Sequence, residues 1–139
     1  MVVGDVFSKP IADASHKIAA ALLAGNTIFS CGEKSGVLVA QLFNDYLAYG
    51  FELDRPGFAA LNLNKLSESN FTHNYFSQSL QVHGNSADVM LVVSAGGNSQ
   101  ALMRAVETAI NKNITVLLLS AATDDLLTAT LGYNDILIS

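Results

Sequence analysis

The chain has 139 residues, of which half are hydrophobic and 14% are charged, and its formal net charge is −5. This length corresponds to about one globular domain and the low charge excludes a disordered chain, so we predict a single domain over residues 1–139. The seven Lys and Arg residues form no cluster, which argues against direct binding of DNA or RNA because nucleic-acid sites concentrate cations.

Membrane and secretory classes are also disfavoured. No apolar run approaches the ~20 residues of a membrane-spanning helix, and the first ten residues, MVVGDVFSKP, lack the basic segment of a secretory signal. The single cysteine, Cys31, cannot form an internal disulfide, which suits a reducing compartment. We therefore expect a cytoplasmic protein in which Cys31 is a small buried residue, since no neighbouring His or Lys would activate it as a nucleophile.

The first predicted element is an N-terminal helix within residues 1–24. Its regular part is Ile11–Ala24, where apolar residues recur at helical spacing. Pro10 stands just before this part, and Gly25-Asn26 is a typical helix stop.

The core region, residues 26–139, alternates apolar runs with helical patterns. The runs Val89–Val93 and Ile114–Leu119 are continuous, as in parallel strands that are buried on both faces. The predicted strands are Thr27–Cys31, Phe58–Leu63, Asp88–Ala95, Ile114–Ser120 and Asp135–Ile138, and the predicted helices between them are Ser35–Tyr49, Asn74–Gln81, Gln100–Ile110 and Asp124–Thr130. This alternation predicts an α/β fold, a three-layer doubly wound (flavodoxin-like) sheet of five parallel strands with helices on both faces.

Two loops of small residues follow predicted strands, where ligands bind in such folds. They are Ser30–Gly36 after the first strand and Ser94–Ser99 after the third. Each leads into a helix, so backbone N–H groups and the helix N-terminus favour an anion, and the hydroxyls of Ser94 and Ser99 could donate to phosphate oxygens. Tight turns without a ligand are equally common, so the loops alone leave both interpretations open.

Three segments resemble bacterial SIS (sugar isomerase) domains, a family that includes phosphoheptose isomerases and replication-initiator-associating proteins. They are Gly25-Asn-Thr-Ile-Phe-Ser-Cys-Gly, Arg55-Pro-Gly-Phe-Ala-Ala and Asp88-Val-Met-Leu-Val-Val-Ser-Ala-Gly-Gly-Asn-Ser. The resemblance implies a phosphosugar ligand, no cofactor, a homodimer or homotetramer, and a possible protein partner. The binding residues that it implies are Ser94, Gly96, Gly97, Asn98, Ser99, Gly32, Lys34 and Ser35.

The chain departs from the family pattern in both loops. The second family loop reads Ser-Thr-Ser-Gly-Asn-Ser, and here Ala95 and Gly96 replace two hydroxyl residues. In the first loop Glu33 stands at an Asn position and Gly36 at a Ser position. The Glu33 carboxylate can satisfy the donors that a phosphate would use, whereas Lys34 would offset it if its side chain points into the cleft, and the sequence leaves both outcomes open.

The catalytic pattern of the family is also incomplete. Isomerisation needs a general base near the sugar, and Tyr46 occupies the position of the family's Glu. Asp45 is a weak substitute because it lies about 100° away around the helix, and His73 is a second weak candidate. The family's partner His lies on a helix beyond the last strand, which this chain, ending at Ser139, does not contain. No His has a Cys or carboxylate at metal-ligand spacing, so we predict no metal site.

Three hypotheses follow. The first is a non-catalytic binding or regulatory module with a weak phosphosugar pocket. The second is an active phosphosugar isomerase that has recruited Asp45, Glu33 or His73. The third is a diverged copy that retains the fold alone.

Overall fold

A computed structural model describes residues 2–33, 36–49, 60–66, 75–96, 99–120, 125–132 and 135–138, with the backbone alone at 2–8, 46–49, 65, 66, 75 and 125. Helices and strands alternate through these residues. The helices are α1 (Val2–Leu23), α2 (Gly36–Tyr49), α3 (Leu63–Leu66), α4 (Tyr75–His83), α5 (Gln100–Asn111) and α6 (Asp125–Ala129). The strands are β1 (Ile28–Gly32), β2 (Ala60–Asn62), β3 (Val89–Val93), β4 (Thr115–Leu119) and β5 (Ile136–Ile138).

The five strands form one parallel sheet in the order β2-β1-β3-β4-β5. All five predicted strands and the doubly wound topology are therefore confirmed. In this order the chain moves outward from β1 in one direction and from β3 in the other, so a switch point lies between these two central strands.

Side-chain alternation along the strands produces two apolar cores, one on each face of the sheet. Phe29, Met90 and Val116 point into the core that α4, α5 and α6 cover. Ile28 and Leu117 point into the other core, which includes side chains of α1 and α2. β1 is buried along its whole length, and Ser30 is the polar side chain within it.

The helix ends follow the signals in the sequence. Gly25 has φ +81° and donates to the carbonyl oxygen of Leu22, while Asn26 donates to that of Ala21, which is the Schellman pattern that ends α1. Ser99 is the N-cap of α5, and its hydroxyl oxygen accepts from Leu102 N–H at 3.3 Å. In the described ranges, no helix combines the length and the apolarity that crossing a membrane requires.

Two element boundaries differ from the prediction. Pro10 lies inside α1, which covers Val2–Leu23 and so agrees with the predicted helix of residues 1–24, but the proline does not precede the helical segment as its place before Ile11 indicated. An interior proline removes one N–H and clashes with the preceding turn, and α1 continues on both sides of it. Leu63 begins α3 instead of ending β2, because the buried apolar residue of a short helix and that of a strand look alike in sequence.

Two aspartates brace the amino-terminal edge of the sheet in the same way. Asp88 precedes β3, and its carboxylate accepts from Thr27 N–H at 2.9 Å and from Asn85 N–H at 2.8 Å. Asp135 precedes β5 and accepts from Val116 N–H at 2.8 Å and Gly132 N–H at 2.7 Å. Each carboxylate thus ties its own turn to the neighbouring strand, and Asp88 is almost completely buried.

Replacement of Asp88 by Ala should destabilise the fold. The variant leaves two backbone N–H groups without their acceptor, and each unsatisfied buried donor costs ~1–3 kcal/mol, so we expect D88A to lower the free energy of unfolding by ~2–4 kcal/mol. Urea denaturation measures this change. The control is D13A, which removes an exposed ion pair with Lys9 and should cost less than ~0.5 kcal/mol; equal losses in the two variants would contradict the prediction.

Candidate functional site

Two loops leave the carboxyl edge of the sheet side by side. We define loop 1 as Gly32–Gly36 and loop 2 as Ser94–Ser99. The parallel pairing of β1 with β3 sets Gly32 opposite Val93, so both loops begin at neighbouring positions. Their helices, α2 and α5, belong to opposite faces of the sheet, and a crevice between diverging loops is where doubly wound folds bind ligands.

Loop 1 is packed too closely for side chains at both of its ends. A Cβ on Gly32 would lie 2.3 Å from the carbonyl oxygen of Gly36, and a Cβ on Gly36 would lie 2.5 Å from the carbonyl oxygen of Val93. Gly36 N–H donates to the carbonyl oxygen of Glu33 at 2.9 Å. The glycine at the family's Ser position therefore has a local cause, since α2 begins against the end of β3.

A side chain from outside both loops holds the start of loop 1. Asn64, on α3, accepts from Gly32 N–H at 2.9 Å and donates to the carbonyl oxygen of Gly32 at 2.8 Å. Two residues earlier in both segments, the Asn62 amide donates to the Ser30 hydroxyl oxygen at 3.2 Å. Sequence analysis missed Asn64, although the alternating Asn62-Leu63-Asn64 at a strand end was the available signal.

Loop 2 is shaped by its own hydroxyls. Ser94 N–H donates to the carbonyl oxygen of Leu119 at 2.9 Å, and the Ser94 hydroxyl oxygen accepts from Gly96 N–H at 3.1 Å. The Ser99 hydroxyl oxygen accepts from the first turn of α5. Both serines use oxygen lone pairs in these bonds, so each O–H remains a donor that can face an anion.

Cys31 is buried at the end of β1, as predicted. Its burial raises the pKa of the thiol far above the usual range, and the negative charge of Glu33 adds to this shift. The thiolate is therefore not formed near neutral pH, and Cys31 is a core residue, not a nucleophile.

The structure brings four of the predicted binding residues to one sheet edge: Gly32, Ser94, Gly96 and Ser99. The other predicted binding residues, Lys34, Ser35, Gly97 and Asn98, lie outside the described residues, as does the weak candidate His73. Asp45 is half-buried on α2, nine positions after Gly36 and so about 13 Å further along the helix axis. Among the residues that the structure describes, no three His, Cys, Asp or Glu side chains are close enough together to hold a metal ion.

Comparison with known proteins identifies relatives of two kinds. The SIS domain family pattern matches residues 5–121. The phosphoheptose isomerase of Methylibium petroleiphilum is 34% identical over 140 residues, which cover 95% of this chain and 70% of that protein. The DnaA initiator-associating protein DiaA of Klebsiella pneumoniae is 29% identical over 133 residues, which cover 91% of this chain and 68% of that protein.

Solved structures give the same fold. A phosphoheptose isomerase structure from Francisella tularensis superposes with a TM-score of 0.83 at 25% identity, covering 93% of this chain and 71% of that one. A second phosphoheptose isomerase, from Neisseria gonorrhoeae, has a TM-score of 0.83 at 21% identity and covers 96% of this chain and 73% of that one. The predicted α/β architecture and the resemblance to SIS domains are therefore confirmed.

Restoring the two family hydroxyls in loop 2 should have unequal costs. Gly96 is buried with φ +101°, whereas Ala95 is exposed. A side chain at this positive φ is strained by ~1–2 kcal/mol, so we expect G96S to lower the free energy of unfolding by that amount and A95T to change it by less than ~0.5 kcal/mol. Chemical denaturation of both variants tests the difference, and a G96S variant as stable as A95T would refute it.

Proposed function

The chain belongs to the SIS domain family, and from this premise we propose that it is a phosphosugar-binding module that lacks isomerase activity and works as a homo-oligomer. The observation that carries the proposal is the pairing of loops 1 and 2 at the ends of β1 and β3, with Tyr46 at the position of the family's catalytic Glu.

The chemistry of loop 2 supports an anionic ligand. Loop 2 leads into α5, a helix of 12 residues whose first-turn N–H groups give its N-terminus a partial positive charge. The O–H groups of Ser94 and Ser99 add two donors at the same edge. Relatives of this chain are named phosphoheptose isomerase. A sugar phosphate is therefore the class of ligand that we propose for these donors.

The residues at the positions of the family's catalytic groups are poorly suited to isomerisation. Moving a proton between adjacent sugar carbons requires a positioned base, and the phenol of a tyrosine such as Tyr46 is ordinarily protonated at neutral pH. Asp45 is one residue away on the same helix, and Ala95 and Gly96 carry no hydroxyl. Catalysis needs the missing base as well as the missing hydroxyls, whereas ligand binding does not need the base.

The alternative is a phosphosugar aldose–ketose isomerase that acts on sedoheptulose 7-phosphate. The identity of 34% to a protein named phosphoheptose isomerase favours it. In that case Asp45, Glu33 or His73 would supply the base, and the O–H groups of Ser94 and Ser99 would donate to the phosphate oxygens.

A protein partner is the further part of the proposal. Relatives named DnaA initiator-associating protein DiaA are as extensively aligned as the isomerases, which supports regulation of a replication initiator through protein contact. The net charge of −5 suits a basic protein surface and not nucleic acid. We place this activity in the cytosol, where the lone thiol of Cys31 stays reduced.

Self-association is supported by apolar side chains on the face of α1 and α2. Leu38 and Leu42 of α2 are 74% and 72% exposed, and Ile11 and Leu23 of α1 are exposed as well. A groove of about 430 Å³ along α1 is lined mainly by Ile18, Ala19, Leu22 and Leu23. Exposed apolar side chains and an apolar groove on the helices of one sheet face are typical of an interface.

A charge placed on this face should reduce the oligomeric state. We expect light scattering to give the mass of a dimer or tetramer for the unaltered chain and a smaller mass for L42K, because a lysine in an apolar interface is desolvated without a partner. V82K on α4 is the matched control, since Val82 is 78% exposed and lies on the other side of the sheet. A monomeric unaltered chain, or equal masses for both variants, would exclude this interface.

The proposed function predicts binding without turnover. A sugar phosphate at ~100 times its dissociation constant should stabilise the fold by ~2.7 kcal/mol, so we expect a thermal shift with sedoheptulose 7-phosphate or another sugar phosphate and none with the unphosphorylated sugars. The same preparations should show no aldose–ketose conversion. Turnover would establish the alternative, and the lack of any shift across the panel would refute phosphosugar binding.

A further inference from the structure

The edge of the sheet beside loop 1 is completed by a side chain instead of a strand. The last backbone pair between β1 and β2 is Ser30 with Asn62, because the chain turns into α3 at Leu63. β1 nevertheless continues as a buried strand to Gly32. On the β2 side, the N–H and C=O groups of Gly32 would therefore have no strand partner.

The amide of Asn64 replaces that partner. Its oxygen lies 2.9 Å from the nitrogen of Gly32 and its nitrogen lies 2.8 Å from the oxygen of Gly32. A primary amide presents one acceptor and one donor side by side, as a peptide group of a continuing β2 would. Both buried polar groups of Gly32 are satisfied by one side chain, which we call the Asn64 clamp.

The clamp acts at the residue from which loop 1 departs. On the β3 side, the next residue, Glu33, donates its N–H to the carbonyl oxygen of Val93 at 3.4 Å, which is long for a hydrogen bond. The two shorter bonds to Asn64 are therefore the stronger tether at the start of loop 1. They fix the backbone orientation of Gly32, where the chain leaves β1.

We propose that Asn64 is a positioning residue that holds Gly32, the first residue of loop 1, in the backbone orientation that ligand binding requires. It acts through Gly32 and does not itself contact the ligand. The ligand part of this inference rests on the proposed phosphosugar function, whereas the clamp does not. Without the clamp, Gly32 populates this orientation less, and the apparent affinity falls by the same fraction.

Two variants of Asn64 test the clamp. N64A removes both bonds, and we expect binding of sedoheptulose 7-phosphate, measured by calorimetry, to weaken on the order of tenfold. N64D keeps the acceptor for Gly32 N–H but turns a second carboxylate oxygen toward the carbonyl oxygen of Gly32. Partial burial and the facing carbonyl oxygen of Gly32 both disfavour the charged form of this carboxyl and raise its pKa. The protonated group restores the missing donor, so the deficit of N64D relative to the unaltered chain should be smaller at pH 5.5 than at pH 8.

The ratio of the two affinities at each pH removes contributions that both proteins share. Those contributions come from the phosphate and from the titratable residues on α3 and on the elements packed against it, which are Lys65 on α3, Cys31 and Glu33 at the end of β1, and His83 on α4. A residue that only stabilised the fold would leave the affinity of the folded protein unchanged at both pH values.

The matched control is T108V, which removes the hydrogen bond between Thr108 and Ser77 across α4 and α5, far from loop 1. It should lose stability without losing affinity. Equal affinities for N64A and T108V would overturn the proposal, and an N64D deficit of the same size at both pH values would overturn the two-bond clamp.

Hydrogen exchange separates failure of the clamp from failure of the proposed function. The Gly32 amide should exchange slowly in the unaltered chain and in T108V, and faster in N64A. If the unaltered chain binds no sugar phosphate, the proposed function fails, and the exchange rate of the Gly32 amide alone tests the clamp. Unchanged exchange in N64A would then overturn the clamp.

Discussion

Gly32 at the end of β1 lies opposite Val93 at the end of β3. This register determines the positions from which both loops leave the carboxyl edge of the sheet. It places the starts of the two loops side by side, and their helices cover opposite faces of the sheet, which is the arrangement in which doubly wound folds bind ligands. The same closeness excludes side chains at Gly32 and Gly36, where a Cβ would meet a backbone carbonyl oxygen. At these two positions only a glycine fits.

Two of the departures from the family pattern, Gly36 and Gly96, share a physical basis, which is a constraint on the backbone. Gly36 and Gly96 both stand where the family resemblance places a serine. At Gly36 the obstacle is the carbonyl oxygen of Val93, and at Gly96 it is a φ of +101°. At these two positions the lost hydroxyl therefore accompanies a backbone constraint, whereas Ala95 is exposed and has none. The donors that remain at this edge include the hydroxyls of Ser94 and Ser99.

Sequence patterns predicted most of the fold because buried parallel strands and amphipathic helices have distinct periods. The five strands and the stop of α1 at Gly25 followed from such local signals. Pro10 and Leu63 were assigned wrongly because their local signals fit two structures. Asn64 was missed for a different reason: the alternation Asn62-Leu63-Asn64 marks a polar strand end, but the contact of Asn64 with Gly32 spans 32 positions of sequence, and no local period encodes such a partner.

The two edges of the sheet are held by different chemistry. Asp88 and Asp135 brace the amino edge with charged acceptors for backbone N–H groups, while small residues and amides shape the carboxyl edge. The hydrogen bonds of Asp88 and Asp135 are therefore remote from loops 1 and 2. Substitutions in the loops can for that reason accumulate in descendants without unfolding the chain. Such a division gives a scaffold evolutionary freedom, and it accounts in physical terms for how one architecture came to serve relatives that carry the names of an isomerase and of a replication factor.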